Sequence, residues 1–328
     1  MGRYLGRKTL IYILTFFLAV SIDWLIPRFM PGNPVETMLS RFALRADATE
    51  VLRSYYIRAF QLDLPLWRQY LNFWQALFRR DLGVSTWLFP QPVLGIIRRA
   101  VPYDLFLLLP AILLSWFAGN RVGAVAARVR WLDNTILPLG YILTATPYMW
   151  LALVLAWALG NEAGLFPIAG AYSFAMRPHL SWVFIQDVLW HWFLPFTSLF
   201  MVMFGGWAIG MRNMIIYELE SEYSRYLESL GTPRSLIRKY AFRNAMLPQI
   251  TGLALQLGGI VAGALATEIV FAYPGIGYLI LQAVQNQDYF LIQGCFLFII
   301  IGVLMANFLI DLVYVTVDPR TRLGMTGE

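Results

Sequence analysis

Three carboxylates, Asp23, Glu268 and Asp311, stand inside runs of otherwise apolar residues. A charge at the centre of a lipid-spanning helix costs about 2.5–3.5 kcal/mol. Such residues mark ion or substrate paths unless they cap a helix, pair, or face the interior of a bundle. Both readings stand for these three, and Glu268, Asn307 and Asp311 are the candidates for a substrate path. Other chemistry-bearing residues are sparse. His179 and His191, the two histidines, are too far apart for a metal-ligand pattern, and the single Cys295 excludes an intrachain disulfide. Serine, histidine and aspartate occur without the placement a nucleophilic triad needs. No G-x-x-x-x-G-K-S/T stretch is present, Gly2, Gly6 and Lys8-Thr9 being misplaced for one, so any nucleotide must be bound elsewhere. No catalytic or metal site is expected.

The elements that must position these residues are set by hydropathy. Of 328 residues, 59% are hydrophobic and 13% charged, with a mean hydropathy of +0.60. A soluble domain carries about 25% charged residues, so the chain falls in the membrane class. A hydrocarbon core needs roughly 20 apolar residues as a helix. Six stretches come close to that: Leu10–Phe29, Pro102–Ala126, Thr135–Leu159, Trp182–Met211, Met246–Tyr273 and Leu291–Val317. The first follows Arg3, Arg7 and Lys8 as a signal peptide would, but no small-residue cleavage site comes after it, and it reads as a retained helix.

The net charge of +6 is carried almost wholly by arginine, since Lys8 and Lys239 are the only lysines, and it argues for no nucleic-acid partner by itself. With the N-terminus inside, Arg128, Arg130, the segment 212–245, and Arg320 with Arg322 are all cytoplasmic, leaving Arg177 alone in the short outer loops. The positive-inside rule thus predicts an N-in, C-in topology. The outer segment, 31–101, holds nine arginines from Arg41 to Arg99, and long loops are largely exempt from the rule. Within it Trp67, Tyr70, Leu71, Trp74, Leu77 and Phe78 recur at helical spacing opposite Arg68, Gln69, Asn72, Gln75 and Arg79. This predicts an amphipathic helix on the outer interface or packed on span ends; a ligand-binding aromatic stripe is the other reading. With no internal repeat or linker, residues 1–328 read as a single membrane domain.

Between the fourth and fifth runs lies a long polar stretch, "EYSRYLESLGTPRSLIRKYAFRNAMLPQI". Tyr223, Tyr226, Leu227 and Leu230 share one helical face while Glu220, Glu222, Arg225 and Glu228 face away. Gly231 suits a left-handed C′ position, Thr232 the next N-cap and Pro233 the first helical position. A second helix follows with Leu236, Ile237, Tyr240 and Ala241 on one face. Its likeness to a DNA-reading helix-turn-helix is superficial, because both ends are tied to membrane spans.

At these residues the chain resembles the inner-membrane permease subunits of binding-protein-dependent ABC importers of the dipeptide, oligopeptide and nickel class. The family's loop motif falls here on Glu222, Tyr223, Arg225, Gly231, Arg243, Asn244, Ala245 and Pro248. The stretches "MPGNP", "LDLPLWRQYLNFWQALFRRDLG", "VGAVAAR", "VFAYPGIGYLILQAVQNQDYFLIQG" and "DLVYVTVDPRTR" extend the likeness over nearly the whole chain. Leu227 stands where the family has Ala, Glu228 where a basic residue is common, Tyr240 for His and Asn33 for Asp. The first two suggest a matched ATPase partner.

What the resemblance implies is a type I ABC importer permease fold in the cell (inner or plasma) membrane: six transmembrane helices and a cytoplasmic coupling helix. This chain would be half of a translocation pathway, paired with a second, homologous permease. Two ATPase subunits would use ATP and Mg, so that no cofactor is bound by this chain, and an extracytoplasmic binding protein would deliver substrate. Glu222, Tyr223, Arg225, Leu227, Glu228, Gly231, Arg243 and Asn244 would couple to the ATPase. Gly252, Gly259 and Gly263 offer small faces for helix packing, either within the chain or in the moving joint. Peptide is the first expectation for substrate, with oligosaccharide or nickel as alternatives. An ion-coupled secondary transporter is the reading from another class; it predicts inverted repeats around ionisable residues, and no repeat is seen.

Overall fold

The computed structural model describes residues 2–40, 46–258 and 264–317 and is built of α-helices, with one isolated bridge, Val84 to Pro92, among the described residues. The helices are α1 (Gly2–Phe29), α2 (Pro34–Leu39), α3 (Ala46–Ala59), α4 (Leu66–Phe78), α5 (Val93–Ala126), α6 (Arg130–Ala145), α7 (Tyr148–Leu155, continuing as a π-turn over Ala156–Glu162), α8 (Trp182–Glu220), α9 (Glu222–Ser229), α10 (Arg234–Gly258), α11 (Leu265–Val270), α12 (Ile276–Gln285) and α13 (Tyr289–Val317). Among the described residues, four stretches are long and apolar enough to cross a membrane as single helices: Lys8–Phe29, Val93–Ala126, Trp182–Glu220 and Tyr289–Phe308.

The third and fifth expected spans take other forms. In place of one helix over Thr135–Leu159, α6 and α7 meet at 101°. Pro147 has no amide to continue the ladder and holds Thr146 extended, at φ −76° and ψ 124°. In place of one apolar run over Met246–Tyr273, α10 begins in the polar segment at Arg234 and runs through Pro248 to Gly258, and the short α11 follows. Gly259 and Gly263 lie outside the described residues.

The chain divides into two compact units, Met1–Pro102 with Gly275–Glu328, and Tyr103–Pro274. In the first, Val93, Ile97, Ile276, Leu291, Ile292 and Cys295 form a fully buried core. The amphipathic helix α4 packs on α1: Trp74 stacks on Phe17 at 5.3 Å, Tyr70 meets Trp24 edge-on at 5.1 Å, and the Tyr70 and Ser21 hydroxyls are 2.7 Å apart. Trp67, Leu71 and Phe78, from the same expected stripe, are exposed. Asn33 caps α2 by accepting from the Val35 amide at 2.9 Å, the job an aspartate would do, and Gln287 donates to the Pro31 carbonyl at 2.7 Å. The "MPGNP" and "QNQDYF" stretches, far apart in sequence, are thereby joined.

In the second unit α8 is the spine. A Cβ on Gly119 or Gly123 of α5 would fall 2.6 Å from the Trp207 Cβ and 2.2 Å from the Ala208 carbonyl oxygen, and one on Gly205 would fall 2.8 Å from the Gly140 carbonyl of α6. Only glycine lets the backbones approach so closely. The core beside this seam includes Leu107, Ile112, Ala152, Leu194, Phe271 and Tyr273.

Candidate functional site

The polar segment is mounted on the end of α8. Glu218 is its hub: the Glu218 carbonyl accepts from the Ser221 hydroxyl at 2.6 Å and the Ser224 hydroxyl at 2.7 Å. Its carboxylate Oε2 accepts from the Tyr223 hydroxyl at 2.8 Å and from Asn244 Nδ2 at 3.2 Å. One side chain thus holds both the short helix α9 and the base of α10. Beneath them Ala124, Met211, Ile215 and Ala245 are buried together, so the segment stands on a packed base.

The turn between the helices closes as a Schellman motif. The Gly231 amide donates to the Glu228 carbonyl at 3.0 Å and the Thr232 amide to the Leu227 carbonyl at 3.1 Å, with Gly231 at φ +73°. Thr232 therefore spends its amide on the turn, and Pro233, whose carbonyl accepts from Leu236 at 2.9 Å and Ile237 at 3.3 Å, takes the capping place expected of Thr232.

The faces are rotated from those expected. Ser224 is the buried residue of α9, Tyr223 and Leu227 are half-buried, and Tyr226 and Leu230 are 65% and 63% exposed. On α10, Ile237, Ala241 and Ala245 point inward while Leu236 and Tyr240 are exposed. Periodicity finds an apolar stripe but not which edge of it the protein covers itself. Glu222, Arg225, Glu228 and Arg243 are exposed; Glu228 pairs with Arg234 at 3.3 Å. Glu222 in the first turn of α9 complements the helix dipole. At the upstream edge of the segment, Arg212 grips Asp133 with two N–H to oxygen bonds of 2.8 Å each, joining α8 to the first turn of α6.

Sequence reasoning missed Glu218, Asp133 and the Gly119/Gly123 pair. Glu218 lies four residues before Glu222, within the charged run, so a carboxylate one helical turn ahead of the α9 start was the available signal.

Of the candidate path residues, Glu268 belongs to the second unit and Asn307 and Asp311 to the first. Glu268 is fully buried: its Oε1 accepts from the Ala264 amide at 2.9 Å while its own amide donates back to the Ala264 carbonyl at 2.9 Å. The carboxylate thereby caps the start of α11. Asn307 is exposed on α13, and the side chain of Asp311 lies outside the described residues. Gly252 does pack as expected of a small residue, a Cβ there falling 3.0 Å from the Trp207 ring.

A cavity of about 800 Å³ opens at the break between α6 and α7, bordered by Thr144, Thr146 and Tyr148 there, by Trp207 of α8 and by Gln256 of α10. Trp207 Nε1 donates to Gln256 Oε1 at 3.1 Å. The non-helical backbone between α6 and α7, Thr146 and Pro147, thus lines a cavity.

Residues 105–323 match the family model described as binding-protein-dependent transport system inner membrane component. The chain is similar to a probable D,D-dipeptide transport system permease protein of Escherichia coli (strain K12), 29% identical over 92% of each chain. It is also similar to a di/tripeptide transport system permease protein of Pseudomonas aeruginosa (strain UCBPP-PA14), 27% identical over 98% of this chain and 99% of the relative. An oligopeptide transport system permease protein of Bacillus subtilis (strain 168) is 26% identical over 98% and 99%.

Proposed function

Since the chain belongs to the binding-protein-dependent transport system inner membrane component family, we propose that it forms half of the translocation pathway of an ATP-driven importer of short peptides. In this reading six spans cross the bilayer with both termini inside: the four long helices, the bent α6–α7 pair, and the α10–α11 region. A second permease completes the pathway, an extracytoplasmic binding protein delivers the peptide, and two ATPase subunits dock against the segment 212–245.

The observation that carries this reading is the construction of α9: a short helix held to α8 and α10 through Glu218, turned by Gly231, with Tyr226, Leu230 and the charged residues Glu222 and Arg225 left outward. A helix so mounted passes a push from below into α8 and α10 without bending. Neither the turn nor the Glu218 hub is explained by lipid-facing packing. The cavity at the α6–α7 break is the stretch of pathway this chain supplies, with Thr144, Thr146 and Gln256 offering hydrogen bonds to a peptide backbone and Trp207 and Tyr148 flat apolar walls. Peptide is preferred over oligosaccharide and nickel because the three relatives above are named for peptide transport.

The test is co-expression with the cognate ATPases and partner permease. A cysteine at Ser229, exposed at the end of α9, is expected to cross-link to an ATPase subunit, with a yield that changes when ATP and the loaded binding protein are added. Absence of any such cross-link in an assembled, transporting complex would reject α9 as the coupling element.

A further inference from the structure

In the unit formed by Met1–Pro102 and Gly275–Glu328 a second cavity, of about 460 Å³, lies among the α3–α4 segment, the end of α1 and the start of α13. Its volume is that of a small-ligand site. Four of its walls are aromatic rings in mutual contact: Tyr56 stacks on Phe60 at 5.9 Å and meets Phe89 edge-on at 5.5 Å, and Phe60 lies 5.4 Å from Phe290. Rings held by one another keep their positions without a ligand, which lowers the ordering cost of binding.

The charges bordering this cavity are Arg28 and Asp81. Asp81 is exposed at the edge, and its Oδ1 is engaged by the Gly83 amide at 2.9 Å. Arg28 is half-buried and fixed, its guanidinium 3.7 Å above the Trp24 ring and its Nη1 donating to the Trp24 carbonyl at 2.6 Å. Its Nε is itself buried, without a hydrogen-bond partner, and the Asp23 carboxylate, five residues earlier, is near enough to interact with the guanidinium electrostatically but makes no hydrogen bond to it. A guanidinium held in place on the pocket wall beside a cluster of rings is suited to a carboxylate carried next to a ring-sized apolar group. Gln69 and Asn72 on the same wall have their amide nitrogens donating to the Leu64 carbonyl at 2.9 Å and to Gln61 Oε1 at 2.6 Å, which leaves their amide oxygens to accept from a peptide N–H.

We propose that this pocket is a peptide-capture site on the extracytoplasmic side, taking the carboxyl-terminal residue of a short peptide with its carboxylate on Arg28 and an aromatic or bulky aliphatic side chain among Tyr56, Phe60, Phe89 and Phe290. The peptide class rests on the function proposed above; the pocket's charge and rings do not. The occupant is placed before the translocation path rather than in it, since every residue bordering the pocket belongs to the extracytoplasmic segment or to the outer ends of α1 and α13.

The full-length chain in phosphatidylcholine nanodiscs, without ATPase or ATP, is titrated calorimetrically with Ala-Phe, Ala-Phe-amide and Ala-Gly. Saturable binding of Ala-Phe is expected, with the amide and Ala-Gly each at least tenfold weaker. Arg28→Gln is expected to bring Ala-Phe down to the affinity of the amide while leaving the amide unchanged, and Phe60→Ala to weaken both. Equal binding of Ala-Phe and its amide by the unaltered chain overturns the proposal whatever the variants do. So does the absence of saturable binding, or binding seen in detergent and lost in nanodiscs, which would assign the cavity to lipid. Because no nucleotide is involved, failure here leaves the importer reading standing, and failure of ATPase coupling leaves the pocket standing.

Discussion

The Tyr223 hydroxyl donates to Glu218 Oε2 at 2.8 Å, and the same oxygen accepts from Asn244, so two family-motif residues separated by 21 positions meet on a carboxylate outside the motif. Glu218 is the joint between the short helix and the spans on either side of it.

Glu218→Ala is therefore expected to loosen α9 more than Tyr223→Phe does. A hydrogen bond to a charged group contributes about 1.5–3 kcal/mol, and removing the carboxylate releases two such bonds while removing the hydroxyl releases one. Binding-protein-stimulated ATP hydrolysis by the reconstituted complex should fall at least tenfold for Glu218→Ala and less for Tyr223→Phe. Equal activity of both variants and the parent would show that the joint transmits nothing.

At Gly231 nothing lies within 4 Å of an added Cβ, so a substitution there acts through the backbone alone. Holding φ near +73° costs a non-glycine residue about 1 kcal/mol or more, asparagine least and β-branched residues most. The expected order of stimulated hydrolysis is Gly231, then Asn, Ala and Val, with insertion and pairing with the partner permease unchanged. Should the valine variant transport as the parent does, the turn does not set the coupling angle.

Arg212 and Asp133 form a two-pronged pair between α8 and α6, with side chains 22% and 24% exposed. Asp133→Asn should cost about 1–3 kcal/mol, seen as a lower unfolding temperature in detergent, because the guanidinium is left half-buried without its counter-charge. Exchanging the two, Asp133→Arg with Arg212→Asp, should recover part of that loss. A double variant no better than the sum of the singles would mean the pair is not coupled.

Topology is read by labelling in a Cys295→Ser background, which removes the single, buried cysteine of the chain. A cysteine at Ser229 should resist a membrane-impermeant maleimide in intact cells and react after permeabilisation, whereas one at Arg79, exposed beyond the end of α4, should react from outside. The reverse pattern would invert the N-in assignment.

At Gly123 of α5 a methyl group would sit 2.2 Å from the Ala208 carbonyl oxygen of α8, a backbone atom that cannot swing aside. Gly123→Ala should thus reduce the yield of folded permease measured by gel filtration in mild detergent, while the same change at Gly6, with nothing within 4 Å, should not. Comparable yields would show that the helices can separate at no cost.

Legibility followed the range of the interaction. The α4 helix, the Gly231 turn and four of the spans were readable because apolar spacing, helix length and a left-handed position are properties of neighbouring residues. The third run reads as one span although it contains Pro147, and the 101° between α6 and α7 is stated by nothing in the residues around that proline. Glycine spacing drew attention to Gly252, Gly259 and Gly263, whereas the closest backbone approaches among the described glycines are those of Gly119, Gly123 and Gly205. A small residue says that close approach is permitted, and only the partner helix decides whether it happens.

The amino-acid order by itself determined the membrane class, the helical make-up, the charged segment between spans and the kinship carried by its motif, since each is written in composition or in short-range spacing. Tertiary structure alone decided that Glu218 gathers Tyr223 and Asn244, that Arg212 finds Asp133, that Glu268 caps a helix rather than facing water, and that rings from α3, the Phe89 turn and α13 enclose a cavity beside Arg28. These are contacts between residues distant in the chain. Their partners are selected by how buried polar groups and apolar surfaces satisfy one another once the helices are packed, and no local pattern records that selection.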